Sequence, residues 1–171
     1  MLKKIRLQII TDRYEMQGSL YETPTGKALP DFEAEPPHKG DVEHFEMTTE
    51  AVYHDDGRRV CISYKESELS GMEDSKTSVS FHKNDPRFVS MLRDGSVKTA
   101  MMFEPGERHL SIYQTPVMPF EVCIFTRAVD NRMDLDGTLR MDYAVELRGA
   151  QTEHTKFFMR VLPDFDKPMK K

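Results

Sequence analysis

The chain has 171 residues, of which 38% are hydrophobic and 31% charged, enough for one folded domain with a sizeable core and too apolar for a disordered chain. Its net charge is −5 and no run of five or more Lys or Arg occurs, so neither nucleic acid nor an anionic membrane surface is an expected partner. No stretch approaches the roughly 18 apolar residues of a spanning helix, and the opening "MLKKIRLQII" alternates instead of forming a secretory core, so a cytoplasmic location is expected.

Taken in order, the segments repeat with a period of two. In the first, Ile5, Leu7 and Ile9 alternate with Arg6, Gln8 and Ile10, predicting a strand over 3–13. Residues 18–41, "GSLYETPTGKALPDFEAEPPHKGD", then hold four prolines, three glycines and five acids, a composition that cannot sustain a strand ladder. They are expected to form a long surface excursion, either mobile or a lid. Its apolar members Leu20, Tyr21, Leu29 and Phe32 could fold back over a barrel mouth or touch a partner chain.

Further strands are predicted over 43–54, 58–66, 75–83, 87–93, 96–103, 107–114, 119–129, 138–148 and 153–162. Val60, Ile62 and Tyr64 share one face, as do Val122, Ile124 and Thr126, and Leu139, Met141, Tyr143, Val145 and Leu147. Asp-Gly pairs at 56–57, 94–95 and 136–137 suit two-residue type I′ turns, and Asn84-Asp85-Pro86 and Pro105-Gly106 mark two more turns. Residues 164–171 are expected to be a disordered tail. So many strands joined by short turns predict an all-β, antiparallel meander closed into a barrel of about eight to ten strands.

Motifs that announce chemistry are missing. The six histidines, at 38, 44, 54, 82, 109 and 154, show no metal-clip spacing, so no metal or other cofactor is expected. Cys61 and Cys123 stand far apart and are expected to be reduced and packed. "ELSGM" is not a nucleophile elbow, and no glycine-rich loop leads from a strand into a helix. The 12 methionines are expected mainly to fill the core, with pocket lining as a second use.

What remains is a set of polar residues in phase with apolar ones. Arg93 follows Val89 and Met91, Glu66 follows Val60, Ile62 and Tyr64, and Tyr143 falls between Met141 and Val145. A guanidinium on an inward face needs a carboxylate, and Glu66 is the best-phased one. Three readings stay open: the two reach water at strand ends, they form a structural pair, or they anchor a ligand in an apolar cavity.

The segments "SYKESELSGMEDSKTSVSF" (63–81), "MLRDGSVKTAMMFEPGERHLSIYQTP" (91–116), "FTRAV" (125–129) and "GTLRMDYAVEL" (137–147) resemble the YwiB-like family, a bacterial domain of unknown function grouped with the calycins. The resemblance covers roughly 42–162. Its pattern falls on Tyr64, Glu66, Gly71, Met72, Arg93, Gly95, Met101, Phe103, Gly106, Tyr113, Thr115, Pro116, Thr126, Gly137, Leu139 and Tyr143. It implies a closed, lipocalin-like barrel of unknown role, with no catalytic residues to carry over. The 18–41 excursion is longer than the family's usual link, Val117-Met118 replaces an expected glycine, and the chain has no tryptophan for a Gly-x-Trp lipocalin signature.

The leading expectation is therefore a barrel holding a small, partly apolar or acidic ligand, with Arg93, Glu66, Tyr64, Tyr113 and Tyr143 as polar anchors. Its rival is a solid barrel that binds a protein, or a second copy of itself, through its outer face or the 18–41 loop. An enzyme using a tyrosine or Glu66 as general acid or base has no motif behind it.

Overall fold

The computed structural model describes residues 1–16, 20, 32, 41–66, 75–147 and 152–163. Its ten strands are β1 Leu2–Met16, β2 Glu43–Asp55, β3 Arg59–Lys65, β4 Lys76–His82, β5 Asp85–Asp94, β6 Thr99–Phe103, β7 Arg108–Gln114, β8 Pro119–Arg132, β9 Thr138–Leu147 and β10 Thr152–Val161. The alternation places every strand end within three residues of these limits. The 18–41 excursion apart from Leu20, Phe32 and Asp41, the Gly71-Met72 turn and the 164–171 tail lie outside the described residues.

All pairings are antiparallel, in the order β6-β5-β4-β3-β2-β1-β10-β9-β8-β7. The first and last strands therefore pair with each other, from Leu7 opposite Val161 to Met16 opposite Thr152. The seam of the ring falls mid-chain, between β6 and β7. There Lys98 and Gln114 exchange backbone hydrogen bonds of 2.9 and 2.8 Å, and the Ser111 hydroxyl donates to the Ala100 carbonyl. The result is the expected all-β meander, nearly closed into a ten-stranded barrel.

Inward residues fill one end of this barrel completely. Leu7, Val60, Val79, Val89, Phe103 and Leu139 are all 0% exposed. Met47, Met91, Met101, Met133, Met141 and Met159 are buried in the barrel core, as gap-filling thioethers should be, while Met118 is exposed.

A second, smaller cluster lies outside the barrel. Cys123, Phe125 and Ala144 point away from the interior yet are buried, because Met16, Leu20 and Phe32 pack over them. Where the excursion is described, it thus lies on the outer face of the sheet. Both thiols are unpaired, and burial raises the Cys123 thiol above its ordinary range, which keeps it protonated and unreactive.

The turns are longer than the Asp-Gly pairs suggested. The connections span 56–58, 95–98 and 133–137, not two residues each. Aspartate side chains account for this in two of them by accepting loop amides: Asp56 Oδ1 takes Arg58 N and Arg59 N, and Asp136 Oδ1 takes Thr138 N. Glycine is still required at 137, where φ is +75° and a Cβ would stand 3.3 Å from Val161 Cβ. The turn read at Asn84-Asp85-Pro86 instead sits at Lys83-Asn84, with Asp85 opposite His82 and Pro86 already in β5. Without the expected glycine, the 115–118 turn is closed by Thr115, whose Oγ1 accepts from Val117 N and Met118 N, each at 3.2 Å.

Candidate functional site

The other end of the barrel is hollow. A cavity of about 450 Å³ lies among β1, β2, β3, β5, β6, β7, β8, β9 and β10, and Tyr64, Glu66, Arg93, Tyr113 and Tyr143 all line it. Ile9, Phe45, Met47, Met101, Val122, Val145, Leu147 and Phe157 give it apolar walls. Glu43 and His44, largely solvent-exposed, mark its mouth.

Arg93 sits where its phase placed it, one alternation beyond the fully buried Val89 and Met91. Its side chain is 16% exposed, that of Glu66 5%, and Arg93 Nε lies 3.6 Å from Glu66 Oε2. That distance makes an ion pair but exceeds hydrogen-bond reach, and Nε is buried without an acceptor. Glu66 sits just past the end of β3, where its backbone N–H donates to the Ser75 carbonyl at 2.8 Å. The Thr77 hydroxyl, itself fully buried, donates to its Oε2. The reading in which both groups simply reach bulk water is excluded for Glu66 by this burial.

Tyr64 and Tyr143 flank the pair. Burial, more than the nearby charges, pushes both phenols above their ordinary range, so they remain protonated hydrogen-bonding groups. The Tyr143 ring also packs 4.5 Å from that of the buried Phe103, which joins the cavity to the solid core.

Sequence reading missed the upper ring of the cavity. Thr11, Arg13, Glu43, Glu153 and Thr155 line it, because β1 pairs with β2 and with β10 and so brings Arg13 opposite both Glu43 and Thr155. Arg13 Nη2 lies 3.1 Å from Glu43 Oε1. The signal was present as the continued alternation Leu7, Ile9, Thr11, Arg13, but a polar residue late in a strand reads as surface. Beside the mouth, His44 Nδ1 and Asp12 Oδ1 are 2.5 Å apart, and the Asp12 carboxylate raises the affinity of His44 for its proton.

Glu153 carries a cost that pH can reveal. Burial raises its pKa above the ordinary 4.5, with Arg13 opposing and Glu43 and Glu15 adding to the rise. A carboxyl whose folded pKa is raised binds its proton more tightly when folded, so its charge penalises folding above that pKa and not below 4.5. Glu153→Gln is therefore expected to raise the thermal midpoint at pH 7 and to change it little at pH 4. An equal effect at both pH values, followed by circular dichroism, would refute this assignment.

On the outer face a buried polar chain escaped the sequence altogether. His154, 0% exposed, has Nδ1 at 2.7 Å from Tyr14 Oη and Nε2 at 2.5 Å from Asp142 Oδ1. The carboxylate only accepts, so Nε2 carries a proton, and in the neutral ring Nδ1 accepts from the phenol. Phe32 covers the imidazole edge-on at 4.9 Å, and Arg127 stacks over Phe32. This network fastens β1, β9 and β10 beneath the described part of the excursion. Among the described residues no three metal-ligating side chains gather, and no helix is long and apolar enough to cross a membrane.

A family model described as "Domain of unknown function (DUF1934)" matches residues 32–159, three-quarters of the chain and every cavity-lining strand except β1. The chain belongs to this family. Over 95% of its length and 96% of the other's, the DUF1934 chain also superposes on the crystal structure of the ywiB protein from Bacillus subtilis, with a TM-score of 0.60 and 17% identity. At that identity the likeness concerns the fold, and it bears out the family resemblance read from the strand segments. No curated protein matches this DUF1934 chain.

Proposed function

We propose that this DUF1934 barrel binds a small, partly apolar molecule within its open end. The observation that carries the proposal is the coexistence of a 450 Å³ cavity with the Arg93–Glu66 pair on its wall. Pockets of this size, mostly apolar with a few convergent polar groups, suit small-molecule ligands. A barrel kept only as a scaffold for outer-face contacts would be expected to fill its interior, as this one does at its other end. Arg93, Glu66, Tyr64, Tyr113 and Tyr143 are the proposed anchors. We also place it, as a bacterial calycin-type protein, in the cytoplasm, a reading supported by its two unpaired thiols.

Native mass spectrometry of protein purified from its own cells is the direct test. The expected spectrum contains a species heavier than the bare chain by one small molecule, removed by mild organic extraction. A bare-chain mass alone, in protein shown to be folded, would count against the proposal.

A further inference from the structure

The polar groups of the cavity are matched to one another in a way that restricts what can sit among them. Among the described residues no acceptor lies within hydrogen-bond distance of the Arg93 guanidinium, and no group donates to Glu66 Oε1. The wall thus presents N–H donors and a carboxylate acceptor side by side. Neither is satisfied by its neighbour, since the two are 3.6 Å apart at their nearest atoms.

Charge narrows the choice. The cavity is lined by two arginines, Arg13 and Arg93, and three glutamates, Glu43, Glu66 and Glu153, with His44 and its Asp12 partner at the mouth, so neither sign of charge dominates it. An anionic head group meeting Arg93 would be held against Glu66, and a cationic one meeting Glu66 would be held against Arg93. In a partly desolvated site either juxtaposition is costly. A neutral group offering both an acceptor and a donor on one edge meets neither penalty and can bond the accessible edge of the guanidinium and Glu66 Oε1 together, with Nε itself buried out of reach. The protonated Tyr64 and Tyr143 hydroxyls can serve such a group in either direction. Phe45 and Phe157, among the apolar walls, suit a flat apolar body.

We infer that the cavity takes an uncharged molecule carrying a donor and an acceptor side by side, of the amide, lactam or nucleobase kind, on a flat apolar frame. This inference rests on the ligand-binding reading above.

Four probes of one shape separate the possibilities: 2-naphthamide (donor and acceptor), 2-naphthoate (anion), 2-naphthamidine (cation) and 2-methylnaphthalene (no polar edge). Each is titrated into the isotope-labelled full chain, following the NMR resonances of Tyr143, Met101 and Val145. The amide is expected to bind about tenfold more tightly than any other probe, the effect of one well-made hydrogen bond to a charged group. In Glu66→Gln the acceptor remains but its charge is gone, so the naphthoate is expected to gain about tenfold on the amide. If any of the other three binds the parent protein as tightly as the amide, the inference is overturned and the ligand-binding reading survives. If none of the four shifts these resonances, that broader reading fails with it. Should Glu66→Gln not fold, the ranking in the parent protein decides alone.

Discussion

Arg93→Met should lower the unfolding free energy by about 3 kcal/mol, because it leaves the Glu66 carboxylate, 5% exposed, without its counter-charge. Methionine restores most of the arginine's apolar stem, so the loss reports the charge more than a void. Thr77 would still donate to Oε2, but one hydroxyl does not replace an ion pair in this setting. The double variant Arg93→Met, Glu66→Met should recover most of the loss, since a buried pair exchanged for hydrocarbon of similar volume is often near neutral. Chemical denaturation of the four proteins completes the cycle. A single variant within about 0.5 kcal/mol of the parent would mean that cavity water serves Glu66 and that the pair is no structural element.

Phe103→Ala should cost about 4 kcal/mol, the upper part of the range for deleting a buried aromatic ring. Phe103 is 0% exposed, pairs across β5 with Val89 and packs its ring on Tyr143, where the solid end meets the hollow one. Its removal would join a new void to the existing cavity and free the Tyr143 ring. The denaturant midpoint should fall with little change in slope, because the unfolded chain exposes nearly the same surface. A loss below about 1.5 kcal/mol would show that the neighbouring side chains collapse into the space and that this boundary is not rigid.

These two positions also show what alternation can and cannot reveal. Arg93 and Glu66 were legible because each extends an unbroken inward series, Val89-Met91 and Val60-Ile62-Tyr64, and period two leaves no freedom about which face follows. Tyr143, between Met141 and Val145, was legible for the same reason, whereas Tyr113 came only from the family pattern, because its in-phase neighbours His109 and Ser111 are polar. Arg13 and Glu153 obey the same rule, but they meet only because β1 pairs with β10, a contact across more than 130 residues that no local pattern encodes. The outer cluster failed for a different cause. Cys123, Phe125 and Ala144 look like outward residues, and only the continuous apolar run "VCIF" at 122–125 hints that both faces of β8 are covered. Nothing local says that Leu20 and Phe32 do the covering, nor that His154 lies beneath them. Turn lengths escaped because Asp-Gly reports a local φ preference, while the aspartate side chains decide how many amides a loop can satisfy.

The mid-chain seam has a consequence for biosynthesis. With β1 wedged between β2 and β10, an early strand is held on one side by one made about 140 residues later, and the hollow end lacks a wall until residues 152–161 have left the ribosome. A nascent chain can assemble the hairpins from β2 to β6 early, since those contacts are local, but ring closure must wait for the most distant pairing in the molecule. No ligand chamber therefore exists before residues 152–161 are made, and whatever fills it meets a closed ring.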